Sequence, residues 1–155
     1  MSSLTPGHVL RGARWNYRVL EPVKGDRTHI SAVFKAQVVP RECVVPEVPK
    51  WALIKVALPG DEIATKNMQR EVLTYRLPDV ASAECFRKMY DIIDDSTIAL
   101  EWLDTTLVEM KYCPEMLVYS LIKSFFKAAF ISCVVLEDYE YVNTGRVPEH
   151  LVLKS

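Results

Sequence analysis

Lys55 stands inside a short apolar run, Trp51-Ala-Leu-Ile-Lys-Val-Ala57, that ends at Leu58-Pro59-Gly60. A run of this length closed by Pro-Gly predicts a buried strand rather than a helix. An ammonium group in such a strand is costly to desolvate unless an anion meets it. The nearest candidate is Glu71. From Asp61 the sequence turns helical, with Ala64, Met68, Val72 and Tyr75 on one face at i, i+4, i+8 and i+11. Glu71 lies within that apolar stripe rather than opposite it. Two readings fit: an ion pair across a strand–helix contact, or two unrelated surface charges. If the pair is buried, removing one partner strands the other at a cost of about 3–5 kcal/mol.

A strand lysine joined to a glutamate on the following helix resembles the small lobe of a protein kinase, where the lysine holds ATP phosphates. The resemblance runs from Tyr17 to the last residue and has a second anchor near the C-terminus. There Tyr141-Val-Asn-Thr-Gly-Arg-Val-Pro-Glu-His150-Leu-Val-Leu is similar to the catalytic-loop pattern Y-V-H-x-D-x-K-P-x-N-I-L-L. Tyr141, Val142, Pro148, Leu151 and Leu153 hold the frame. Gly145 stands where the family has its catalytic aspartate, Val147 where it has lysine, and His150 where it has the magnesium-binding asparagine. Asn143 replaces the histidine. Gly145 can neither accept a proton nor orient a hydroxyl, and magnesium prefers oxygen ligands to His150. The resemblance therefore implies a kinase fold without kinase chemistry.

Other function classes are narrowed by composition. The chain of 155 residues makes one domain at most, or part of a larger one, and half of it is apolar. Its net charge of −1 gives no electrostatic case for nucleic acid or an anionic membrane. Cys43, Cys85, Cys113 and Cys133 are widely spaced, as are His8, His29 and His150, which is not the spacing of a zinc site. Reduced thiols, and hence a cytoplasmic or nuclear location, are the default for such cysteines.

The elements that must position Lys55 and Glu71 follow in order. Residues 1–16, with Pro6, Gly7 and Gly12 and no apolar core of signal-peptide length, read as a loose leader. Tyr17–Val23 and Ser31–Val39 read as strands around the turn Lys24-Gly-Asp-Arg-Thr-His29. In the kinase comparison this turn occupies the glycine-rich loop. Val33 fits its final valine and Ala36 the following alanine, but the glycine slots hold Asp26, Thr28 and Ser31. Phosphate approach to backbone N–H groups wants glycine there, and an aspartate adds repulsion. Pro40, Pro46 and Pro49 mark a connection before the lysine strand. Leu53 replaces the family's small alanine two before the lysine, which narrows an adenine pocket.

Pro78 ends the helix, because the residue before proline disfavours helical geometry. Cys85–Ile93 and Thr97–Leu103 read as two further strands joined by the tight turn Asp94-Asp95-Ser96. By resemblance Leu100 guards the back pocket and Glu101-Trp102-Leu103 is the hinge; the alternative is an ordinary edge strand with a packed tryptophan. Met116–Leu136 reads as a long apolar helix. Lys123 and Lys127 interrupt it, which disfavours a membrane span. The resemblance makes it the central helix of the large lobe. The family's D-F-G segment and remaining large-lobe helices have no counterpart in the sequence. The helix must then fold back on the small lobe, be covered by a partner, or belong to a longer protein.

The expected architecture is α+β: a five-stranded antiparallel sheet with one helix, residues 17–107, followed by a partial helical large lobe, residues 108–155. The expected function is a catalytically inactive kinase-like fragment acting through protein contacts. No resident cofactor or metal is expected. The expected partner is a protein covering Met116–Leu136, or a second copy, with neither nucleic acid nor membrane involved. The alternatives are a kinase-like ATP binder with residual or atypical phosphotransferase activity as part of a longer chain, and an unrelated α+β interaction domain. Under the first alternative Lys55, Glu71, Val33, Leu100, Glu101 and Leu103 line the nucleotide pocket.

Overall fold

The computed structural model describes residues 4–23, 31–41, 48–104 and 117–139. The catalytic-loop positions Gly145, Val147 and His150 and the hairpin turn at Lys24–His29 lie outside them, as do Cys43, Cys113 and Met116.

The chain forms one curled antiparallel sheet with helices. Its strands are β1 (Val9–Arg11), β2 (Trp15–Pro22), β3 (Ser31–Pro40), β4 (Trp51–Ala57), β5 (Met89–Asp94) and β6 (Thr97–Glu101), in the order β1-β2-β3-β4-β6-β5. The α+β class is as expected, but six strands replace five. The extra one, β1, lies in the stretch read as a loose leader. Leu10 pairs with Tyr17, and the backbone N–H of Gly7 and carbonyl of His8 bond to Val19 across the same edge. Three residues are too few to show alternation, and the flanking glycines imitate a loop.

The lysine strand and the acidic hairpin turn form as the residues imply. The carboxylate of Asp94 accepts from the backbone N–H and the hydroxyl of Ser96, both at 2.8 Å. Helix α1 spans Glu62–Arg76. Asp61 caps it by accepting from the N–H groups of Ile63 and Ala64 at 2.9 and 3.0 Å. It stops at Leu77, and Pro78 opens a separate short helix, α2 (Pro78–Ser82). Proline suits a first helical position, where its missing N–H is not needed. That helix displaces the start of β5, so Cys85–Lys88, expected in a strand, precede it. Helix α3 spans Leu117–Glu137.

Period-two alternation splits the sheet into two faces. Trp15, Tyr17, Ala36, Val38, Ala52, Ile54 and Ala99 pack together on the inner side of the curl. Ala57, Ile98 and Leu100 pack on the other side against Ala64 and Met68 of α1. Asp91 closes the curl. Its buried carboxylate on β5 accepts from the N–H groups of Arg14 and Trp15 and from the Tyr17 hydroxyl at 2.5 Å. The last strand of the sheet, β5, is thereby tied across its interior to β2 and to the turn that precedes it. Gly12 allows the approach: a Cβ there would meet the Asp91 carboxylate at 2.5 Å and the Tyr17 ring at 2.7 Å.

Candidate functional site

Lys55 points from β4 to the α1 side of the sheet, and its Nζ lies 2.5 Å from the Glu71 carboxylate. The geometry selects the ion pair over two unrelated charges. It also corrects its setting: the two side chains retain 28% and 26% exposure, so the pair is half-buried rather than sealed in the core. On α1, Ala64 and Met68 are buried in the packed contact while Glu71 keeps part of its exposure.

The neighbours of Lys55 follow from register, because directly opposed residues in antiparallel strands share a face. Val33 on β3 lies opposite Lys55, and Lys35 lies opposite Leu53. On the other flank Ile98 is opposite Lys55 and Leu100 is opposite Leu53. Val33, Leu53, Lys55 and Leu100 therefore form one patch, with Leu100 buried against α1 and Val33 half-buried.

The remaining two expected pocket residues do not join that patch. Glu101 pairs with Ala52 and so faces the inner side, where its carboxylate accepts from the Lys88 N–H at 3.1 Å. Its own backbone N–H donates to the Lys88 carbonyl. Leu103 lies beyond β6 and is 46% exposed.

An aromatic–cation stack also occupies the patch. The Lys35 ammonium sits 4.9 Å from the Trp51 ring centre and 4.6 Å from that of Trp102. Both distances suit a cation–π contact. Nothing in the linear spacing of Lys35, Trp51 and Trp102 announces this stack. It arises because the register of β3 on β4 sets Gln37 against Trp51 and Lys35 two pairs along, on the same face. Asp91 was equally unannounced, although an acid at the centre of the apolar strand Met89–Ile93 was a legible signal.

Three tyrosine hydroxyls are perturbed, Tyr75 on the α1 side of the sheet and Tyr17 and Tyr90 on the inner side. Burial, reinforced by the Glu71 charge one turn away on α1, pushes the Tyr75 hydroxyl pKa above its ordinary range. Burial and Glu101 do the same to Tyr90. Tyr17 is raised most, by burial and then by its bond to Asp91. These hydroxyls stay protonated rather than acting as bases, and that of Tyr17 donates to Asp91. Among the described residues no group of histidine, cysteine, aspartate and glutamate side chains is arranged to hold a metal ion. Chemically, the patch offers one paired cation, two cations stacked on tryptophan (Lys35, and Lys50 over Trp51) and an apolar floor, with no described carboxylate free to accept a proton beside Lys55.

No protein-family model matches the chain, and no curated protein matches it.

Proposed function

We propose that the chain is a catalytically inactive, protein kinase-like module that acts through protein contacts made by α3. The observation that carries this reading is the apolar face of α3. Tyr119, Ile122, Phe126, Phe130 and Val134 recur at helical spacing and are all exposed, Tyr119 by 77% and Phe130 by 68%. Burying each such side chain gains roughly 1.5–3 kcal/mol, so an uncovered stripe of five marks a contact surface. Among the described residues α3 is anchored toward its C-terminal end, by buried Ser132 and Leu136, and just beyond it the Tyr139 hydroxyl donates to Asp79 at 2.6 Å. The occupant is a protein with a complementary apolar surface, or a second copy of the chain. No helix among the described residues is long and apolar enough to cross a membrane.

The kinase-like part is supported by the Lys55–Glu71 pair between the lysine strand and the next helix. The absence of phosphoryl transfer rests on Gly145, Val147 and His150, which lack the groups that position a nucleophile and hold magnesium. Leu53 and the Trp51–Lys35–Trp102 stack take up space on the face where an adenine would lie. A second reading, an ATP binder, is favoured by the retained lysine and glutamate. It requires ATP with Mg²⁺ to stabilise the protein and Lys55→Met to abolish that gain.

A photo-reactive phenylalanine analogue at position 130 tests the interface, with the same group at exposed Leu73 on α1 as control. Cross-linking to a protein from position 130 and not from 73, lost on Ile122→Glu with Val134→Glu, is the expected result. No cross-link, or equal cross-linking from both positions, overturns the proposed contact surface.

A further inference from the structure

A cleft of about 490 Å³ opens at the end of the sheet where β2 and β5 begin and α1 and α2 finish. It is separate from the Lys55 patch and from α3. Its walls include Trp15, Phe86 and Tyr90, and Trp15 and Tyr90 meet edge to face with ring centres 5.4 Å apart. Its charged groups are Arg14, Arg87, Lys88 and Glu101. The Arg14 guanidinium lies over the Trp15 ring at 4.4 Å. Among the described residues, no carboxylate lies within salt-bridge reach of Arg14, Arg87 or Lys88.

The volume falls in the range of small-ligand sites. Aromatic walls suit a flat ring, and guanidinium groups suit the paired oxygens of phosphate or carboxylate. The balance of charge discriminates between those two. Three cations against one carboxylate leave an excess of two positive charges. Glu101 is already engaged by the Lys88 N–H, which turns that carboxylate to the backbone. A phosphate monoester carries a charge of roughly −1.5 to −2 at neutral pH and matches the excess; a simple carboxylate carries half as much. We propose that this cleft binds a phosphate monoester whose organic group carries a flat aromatic ring, with Arg14, Arg87 and Lys88 on the phosphate and Trp15, Phe86 and Tyr90 around the ring.

Calorimetric titration with phenyl phosphate tests the proposal, with inorganic phosphate and benzoate run in parallel. Phenyl phosphate is expected to bind at least about tenfold more tightly than either. Arg87→Gln and Lys88→Gln are each expected to weaken it about tenfold, the loss of one charge-assisted hydrogen bond. Lys88 is exposed, so its variant retains the fold, and an unchanged melting temperature verifies this. A phosphotyrosine peptide binding more tightly than phenyl phosphate identifies a protein source of the group. Adenosine monophosphate doing so identifies a free nucleotide. Equal affinity for inorganic and phenyl phosphate, unchanged affinity in both glutamine variants, or binding lost on Lys55→Met overturns the proposal.

Discussion

Replacing Lys55 with methionine and Glu71 with glutamine, singly and together, separates a structural lysine from a nucleotide-binding one. The charges approach to 2.5 Å. Their attraction is about 1.7 kcal/mol at the permittivity of water and about 6.6 kcal/mol at an effective value near 20, where partly buried pairs fall. Each side chain keeps about a quarter of its exposure, so solvent screening places the pair between these limits. Fixing the lysine costs about 1.5–2 kcal/mol of side-chain entropy, and partial desolvation subtracts more. A coupling of about 1–3 kcal/mol remains, below the 3–5 kcal/mol of a fully buried pair. For a chain of this size each single variant should lower the melting temperature by roughly 3–9 °C. The double variant should cost less than the sum of the two. Thermal unfolding reads the first quantity and urea unfolding the second, for all four proteins with and without ATP and Mg²⁺. Additive losses near zero, with ATP-induced stabilisation that Lys55→Met removes, would refute the structural role and select the nucleotide binder.

Two further outcomes concern the closure at Asp91. Gly12→Ala drives a Cβ to 2.5 Å from the Asp91 carboxylate, which its donors hold in place. It should cost about 1–3 kcal/mol in urea unfolding, and a loss under about 0.3 kcal/mol would show that the first turn yields freely. The Tyr17 hydroxyl has a raised pKa in the folded state. Its contribution is thus complete below the unfolded value near pH 10 and is lost as pH rises above it. Stability should fall by up to about 1.4 kcal/mol per pH unit above pH 10 from this group, and Tyr17→Phe should make the fall shallower. Tyr75 and Tyr90 are also raised, so a slope survives in the variant. An unchanged slope would remove Tyr17 as a cause.

What could be read from the amino-acid order was local. Trp51–Ala57 is a strand because its apolar run is short and closed by Pro59-Gly60. The inner face of α1 was visible in Ala64, Met68 and Val72, and Asp61 and Pro78 bracket α1 because a capping carboxylate and a proline act on their own neighbours. Lys55 and Glu71 were legible as a candidate pair because both interrupt apolar faces, but the alternative of two unrelated surface charges was set aside only by the structure. The degree of their burial was not legible, since it depends on where along β4 the helix crosses. Strand β1 was hidden because three residues acquire their meaning only from the bonds to β2. Asp91 lies more than seventy residues from Gly12 and Tyr17 in the chain, and only the curl of the sheet brings β5 to β2 and the turn before it. The cleft between Arg14 and Arg87 has the same origin. Charges on separate elements make a site when packing holds them at fixed distances, and no spacing along one strand or helix encodes that separation.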